Sequence, residues 1–126
     1  MFVQNGLSGA RVLVVEDDHL LAVTIASVLE HESALIVVPC ASHSAAMDVV
    51  NAQLPHLALL DVNILGGTSF ELAEWLASQN VPFAFVTGEP MDQIPKGLAY
   101  AGYLKKPAHA LDLLDLTRRM WVSTRR

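Results

Sequence analysis

The chain has 126 residues, 52% of them hydrophobic and 17% charged, with a net charge of −5. That length suits one domain with a core of its own, the composition excludes a disordered chain, and the acidic balance argues against a general binder of nucleic acid or anionic membrane. Cys40 is the single cysteine; it excludes an internal disulfide and suits a reducing compartment. Met1–Ala10 carries neither a basic n-region nor an apolar h-region, and no apolar run approaches the ~18 residues of a membrane span. A soluble cytoplasmic domain is the expectation.

Residues 1–9, with two Gly, an Asn and a Ser, read as a flexible lead-in, residues 10–122 as the domain and 123–126 as a tail. Arg11-Val12-Leu13-Val14-Val15 is a first strand, β-branched and uninterrupted. It stops at three acids, Glu16-Asp17-Asp18. From His19 to about His31, Leu21, Ile25, Val28 and Leu29 recur at helical spacing, and Asp18 can cap that helix. Ala34–Val38 is a second strand, stopped by Pro39. Ser42 can cap a helix through about Ala52, with Ala46, Met47 and Val50 facing inward.

After Pro55 comes Leu57-Ala58-Leu59-Leu60-Asp61-Val62-Asn63. This run has strand length and no alternation, so both of its faces should be buried in the middle of a parallel sheet. Gly66-Gly67 makes a turn, and Thr68 with Glu71 has the form of a capping box for a helix to about Gln79 that packs Phe70, Leu72, Trp75 and Leu76. Phe83–Thr87 is a fourth strand ending in a hydroxyl. Between Met91 and Tyr100, Pro95 and Gly97 allow at most a short or irregular helix. Gly102–Lys105 is a short fifth strand, Pro107 suits a helix start, and the last helix carries Leu111, Leu113, Leu114, Leu116 and Met120.

Strand and helix alternate five times. That pattern implies a doubly wound α/β fold: a parallel sheet, right-handed crossovers, helices on both faces. Every strand then delivers its carboxyl end to one edge, where open sheets place their ligand sites. Collected there are Glu16, Asp17 and Asp18, then Asp61 with Asn63, then Thr87 and Lys106. Carboxylates this close repel unless a cation sits among them. Hard oxygen donors suit Mg²⁺ with phosphate oxygens. Asp61 is a candidate nucleophile, since carboxylates form acyl phosphates, and Lys106 and Thr87 could neutralise and hydrogen-bond the transferred group.

From Arg11 to Trp121 the chain resembles the response regulator receiver domains of two-component signalling, of CheY-like type. The matching pieces are Val12-Leu13-Val14-Val15-Glu16-Asp17-Asp18, Leu59-Leu60-Asp61, Thr87-Gly88 and Tyr103-Leu104-Lys105-Lys106-Pro107. The resemblance implies a flavodoxin-like (βα)5 fold with strand order 2-1-3-4-5 and Asp61 as phosphoacceptor. It implies Mg²⁺ held by Glu16, Asp17, Asp61 and the backbone carbonyl of Asn63. Thr87 aligns with the switch hydroxyl, Tyr103 with the switch aromatic, and Lys106 with the phosphate-binding lysine ahead of a cis proline. A histidine kinase or phosphotransfer protein would be the donor. With the chain ending after its last helix, no DNA-binding output domain is expected, so output would pass through an unknown downstream protein, through handing the phosphoryl group on, or through action as a phosphate sink; a homodimer is a further candidate partner.

Three features depart from the family pattern. Leu65 stands where a proline is usual, Ser69 or Phe70 where a glycine is usual, and the Thr87–Lys106 interval is short by about one helical turn. The shape Asp61-Val62-Asn63 with Thr68-Ser69-Phe70 resembles a divergent group of single-domain receivers. Two other classes remain open: a pseudo-receiver that binds a partner without phosphorylation, and a phosphatase of the haloacid dehalogenase type, suggested by Asp61-Val62-Asn63. The five histidines, His19, His31, His43, His56 and His109, lack metal-ligand spacing and read as surface or capping residues.

Overall fold

The structure, a computed structural model, describes residues 6–124. In chain order the elements are β1 (Arg11–Val15), α1 (His19–Glu30), β2 (Leu35–Cys40), α2 (His43–Ala52), β3 (Leu57–Leu60), β4 (Asn63–Ile64), β5 (Gly67–Thr68), α3 (Phe70–Ser78), β6 (Phe83–Thr87), a 3-10 turn at Met91–Gln93, β7 (Gly102–Lys105) and α4 (Ala110–Thr124). The five longer strands form a parallel sheet in the order β2-β1-β3-β6-β7. Numbered among themselves, they follow the expected 2-1-3-4-5. No described helix is long and apolar enough to cross a membrane.

Alternation along the strands splits the core into two layers. Val12, Val14, Leu59 and Val86 pack with Ile25 and Leu29 of α1 and with Leu113, Met120 and Trp121 of α4. Leu13, Leu60, Phe83 and Phe85 face the other way, onto Val50 of α2 and onto Leu72 and Leu76 of α3. Central β3 is buried at every residue, as expected of a strand covered on both faces.

Register then positions the site. Val15 pairs with Leu60, and the Asp61 N–H donates to the Val15 carbonyl at 2.9 Å. The residues after each strand, Glu16 and Asp61, are therefore neighbours across the sheet's carboxyl edge. On the far side Thr87 pairs with Lys105, which brings Lys106 to the same edge. Asp18 caps α1 through Leu21 N–H at 3.1 Å, and Ser42 caps α2 through Ala45 N–H at 3.2 Å.

Several local expectations are corrected. Pro39 does not stop β2: the strand runs through it to Cys40, and the register slips by one residue between Leu13 and Val15. An edge strand with a bulge tolerates a residue lacking an N–H. The Thr68–Glu71 capping box does not form: Thr68 belongs to the β4–β5 hairpin, and Ser69 is the residue before α3. Gly66 makes the hairpin turn at φ +90°, a left-handed conformation that favours glycine. Pro107 precedes a helix that begins only at Ala110, and its bond to Lys106 is cis.

Other corrections concern burial. Leu111 is exposed, not packed. Of the expected lead-in, residues 1–5 lie outside the described residues, as do 125–126 of the expected tail. Leu7 is fully buried against the α1–α4 layer and anchors the segment to the core, while Ser8 and Gly9 stay exposed. The last helix runs to Thr124, past the expected boundary at 122. Between β6 and β7 only the 3-10 turn forms, in keeping with an irregular fourth crossover.

Candidate functional site

Glu16, Asp17 and Asp61 each turn a carboxylate oxygen toward one point, and those oxygens lie within 4.8 Å of one another. Glu16 and Asp61 are buried while Asp17 is open to solvent. Lys106 Nζ donates to Asp61 Oδ2 at 2.7 Å and also to Glu16 Oε1. The other Glu16 oxygen accepts the Asp18 N–H at 3.1 Å. One ammonium thus bridges two strands' terminal acids, and a third acid faces them from the rim.

The electrostatics follow from burial. Desolvation pushes the Glu16 carboxyl above its ordinary value, and the Asp61 charge adds to this, against the hydrogen bonds from Lys106 and the Asp18 amide. Burial alone would lower Lys106, but its bonds to Asp61 and Glu16 outweigh it and hold the ammonium charged above its ordinary value. Three carboxylates against one ammonium leave negative charge uncompensated. All of the donors are hard oxygens, with one carboxylate accessible from solvent, which is the donor set Mg²⁺ takes while keeping several waters. The residues present fit a divalent cation.

Thr87 is fully buried at the end of β6. Its Oγ1 accepts the Glu89 N–H at 3.2 Å, and its carbonyl accepts the Lys106 N–H at 2.8 Å. Among the described residues no hydrogen bond joins its hydroxyl to Asp61 or Lys106. Half-buried Tyr103 donates its OH to the Glu89 carbonyl; burial first, then the nearby Tyr100, Asp92 and Glu89, raises its pKa. Asn63 donates Nδ2–H to Glu89 Oε1 at 2.7 Å. Glu89, which in sequence is only an acid between Gly88 and Pro90, therefore contacts Thr87, Tyr103 and Asn63 together. Nothing in its type or spacing announced this; its place two residues past a strand-end hydroxyl was the available signal.

Ser69, in sequence only a departure from the family pattern, has a definite place in the structure. It is fully buried, and its Oγ donates to the Asp61 carbonyl at 2.6 Å. His56 is corrected from a surface residue: its Nδ1 accepts the Arg11 N–H at 2.9 Å, and its ring lies 5.1 Å from that of Trp121. It sits at the opposite, amino edge of the sheet and takes no part in the acidic site.

The fold and this edge define a known class of signalling domain. The response regulator receiver domain family matches residues 12–118, and the chain belongs to that family. Similar solved structures include the non-phosphorylated HemR receiver domain from Leptospira biflexa, 28% identical, with a TM-score of 0.79 over 88% of this chain and 93% of that one. The signal receiver domain of a modulated diguanylate cyclase from Desulfovibrio desulfuricans is also 28% identical, with a TM-score of 0.81 over 91% of this chain and 95% of that one. The chemotaxis response regulator CheY4 of Vibrio cholerae, at 23% identity, has a TM-score of 0.79 over 88% of this chain and 98% of that one, a likeness of fold. Comparison with curated proteins returned no match.

Proposed function

We propose that Asp61 accepts a phosphoryl group from a phosphohistidine on a histidine kinase or phosphotransfer protein, with Mg²⁺ held by Glu16, Asp17, Asp61 and the backbone carbonyl of Asn63. The observation that carries this reading is the three-acid cluster converging on one half-buried ammonium. A structural cluster would balance its charges; this one is left acidic, at a strand edge where a reacting group can reach it.

In the transfer, an Asp61 oxygen bonds to phosphorus as the donor's N–P bond breaks, and the bonding pair leaves with the imidazole. Mg²⁺ supplies charge neutralisation for the phosphoryl oxygens when bound. Lys106 turns its ammonium from the carboxylate to the new phosphoryl oxygens. Thr87 donates its hydroxyl to the same group. That motion pulls on the Glu89 N–H, and through the Glu89 carbonyl on Tyr103. Charge at Asp61 thereby biases the surface around β6 and β7 between two states. Signalling then runs by contact with a downstream protein or by relay, within the cytoplasm.

Incubation with acetyl phosphate and Mg²⁺ should add one phosphoryl mass to the parent protein and none to Asp61→Ala. A parent that takes up no phosphoryl group overturns the proposal.

A further inference from the structure

We propose that Ser69 is a positioning residue for Asp61: its hydroxyl and amide clamp the two carbonyls at and after the acceptor onto the start of α3, and the clamp keeps the carboxylate aimed for attack. This rests on the phosphoacceptor reading of Asp61.

The sheet ladder of β3 ends at Leu60. Asp61 is held on its amino side by its N–H to the Val15 carbonyl. On its carboxyl side the chain leaves the sheet for the β4–β5 hairpin. There the Asp61 carbonyl accepts a buried hydrogen bond from Ser69 Oγ at 2.6 Å, a short hydroxyl–carbonyl bond. The Ser69 N–H donates to the next carbonyl, Val62, at 2.9 Å. Both ends of the hairpin are thus closed by one residue, and Asn63, whose carbonyl is a proposed metal ligand, is the first residue inside that closure.

A second observation sets Ser69 apart from an ordinary helix cap. A serine before a helix normally accepts an N–H from the first turn. Here the side chain makes no such bond, and α3 begins without a side-chain cap. The hydroxyl has been diverted from its own helix to the backbone of the acceptor. The ends of α1 and α2 show the contrast: Asp18 and Ser42 both cap in the usual way. Because phosphoryl transfer depends mostly on positioning, a small rotation of the Asp61 backbone should appear in the rate.

The test uses the whole protein, acetyl phosphate and saturating Mg²⁺, well below each variant's melting temperature. Ser69→Ala removes the donor. Ser69→Cys keeps the shape and leaves only a weak donor. The expected phosphorylation rates fall in the order parent, Cys, Ala, with Ala slower by about tenfold or more. A role confined to holding the fold would lower the melting temperature and leave the rate of the folded protein alone. An Ala rate within about twofold of the parent overturns the inference; should Ala not fold, a Cys rate within the same margin does so. A phosphorylated parent beside an unslowed variant overturns the inference alone. An unphosphorylated parent overturns the phosphoacceptor reading and this inference together.

Discussion

Two ionic clusters join segments far apart in the chain, and they differ in balance. Glu32, buried after α1, meets Arg118 of α4, whose Nε lies 3.0 Å from Oε1 with Nη2 on the same oxygen. One acid faces one base, and the Glu32 carbonyl also accepts the Leu7 N–H at 3.0 Å. At the carboxyl edge, Glu16, Asp17 and Asp61 share Lys106. Three carboxylates less one ammonium leave two negative charges over. Desolvating charge without a partner is costly, so a closed pair is what a purely structural contact becomes. An open, acidic excess beside a solvent rim marks a place where a cation is expected to complete the charge.

The comparison breaks most sharply at Lys106. Lys106→Ala should slow phosphorylation by acetyl phosphate about a hundredfold, ~2.7 kcal/mol of transition-state stabilisation, read from initial rates at saturating Mg²⁺. An unchanged rate would make the ammonium a structural counter-ion, like its counterpart in the closed pair. Arg118→Ala should do the reverse. It strands a buried carboxylate and should cost about 2 kcal/mol in urea denaturation, below the usual range for a buried pair because the guanidinium is 38% exposed. Its phosphorylation rate should match the parent's; a parallel fall would show that the clusters are coupled.

The smallest effect is expected at the amino edge, where His56 is neutral and accepts from Arg11 N–H. Burial, and then the Arg11 charge, lowers its pKa from 6.5. The folded state therefore binds its proton less readily than the unfolded chain. Stability should be fully present above the ordinary histidine range, fall as pH drops through 6.5, and level off below the depressed folded value. Melting temperatures of the parent and His56→Gln should converge at low pH if the parent loses this contribution; parallel curves would remove His56 from the account.

Much of this was legible along the chain. Strand runs such as Leu57–Leu60 declare burial by the absence of alternation, and caps such as Asp18 and Ser42 act within three residues of where they stand. Once five strands alternate with helices in a parallel sheet, their ends must meet at one edge, so the convergence of Glu16, Asp61, Thr87 and Lys106 follows from order alone. Pro39 is tolerated because β2 is an edge strand, which no local signal declares. The Thr68–Glu71 pattern fails as a cap because the hairpin absorbs Thr68. The burial of Leu7, the exposure of Leu111 and the contacts of His56 depend on which distant element covers each side chain.

Periodicity and local hydrogen bonding act over a few residues, and so the elements, their order and the acidic edge were written in the linear chain. The diversion of the Ser69 hydroxyl, the meeting of Asn63, Thr87 and Tyr103 on Glu89, and the sharing of Lys106 between two acids depend on register and packing between segments far apart in the chain. Those contacts exist only after β1, β3, β6 and β7 have been brought into one sheet.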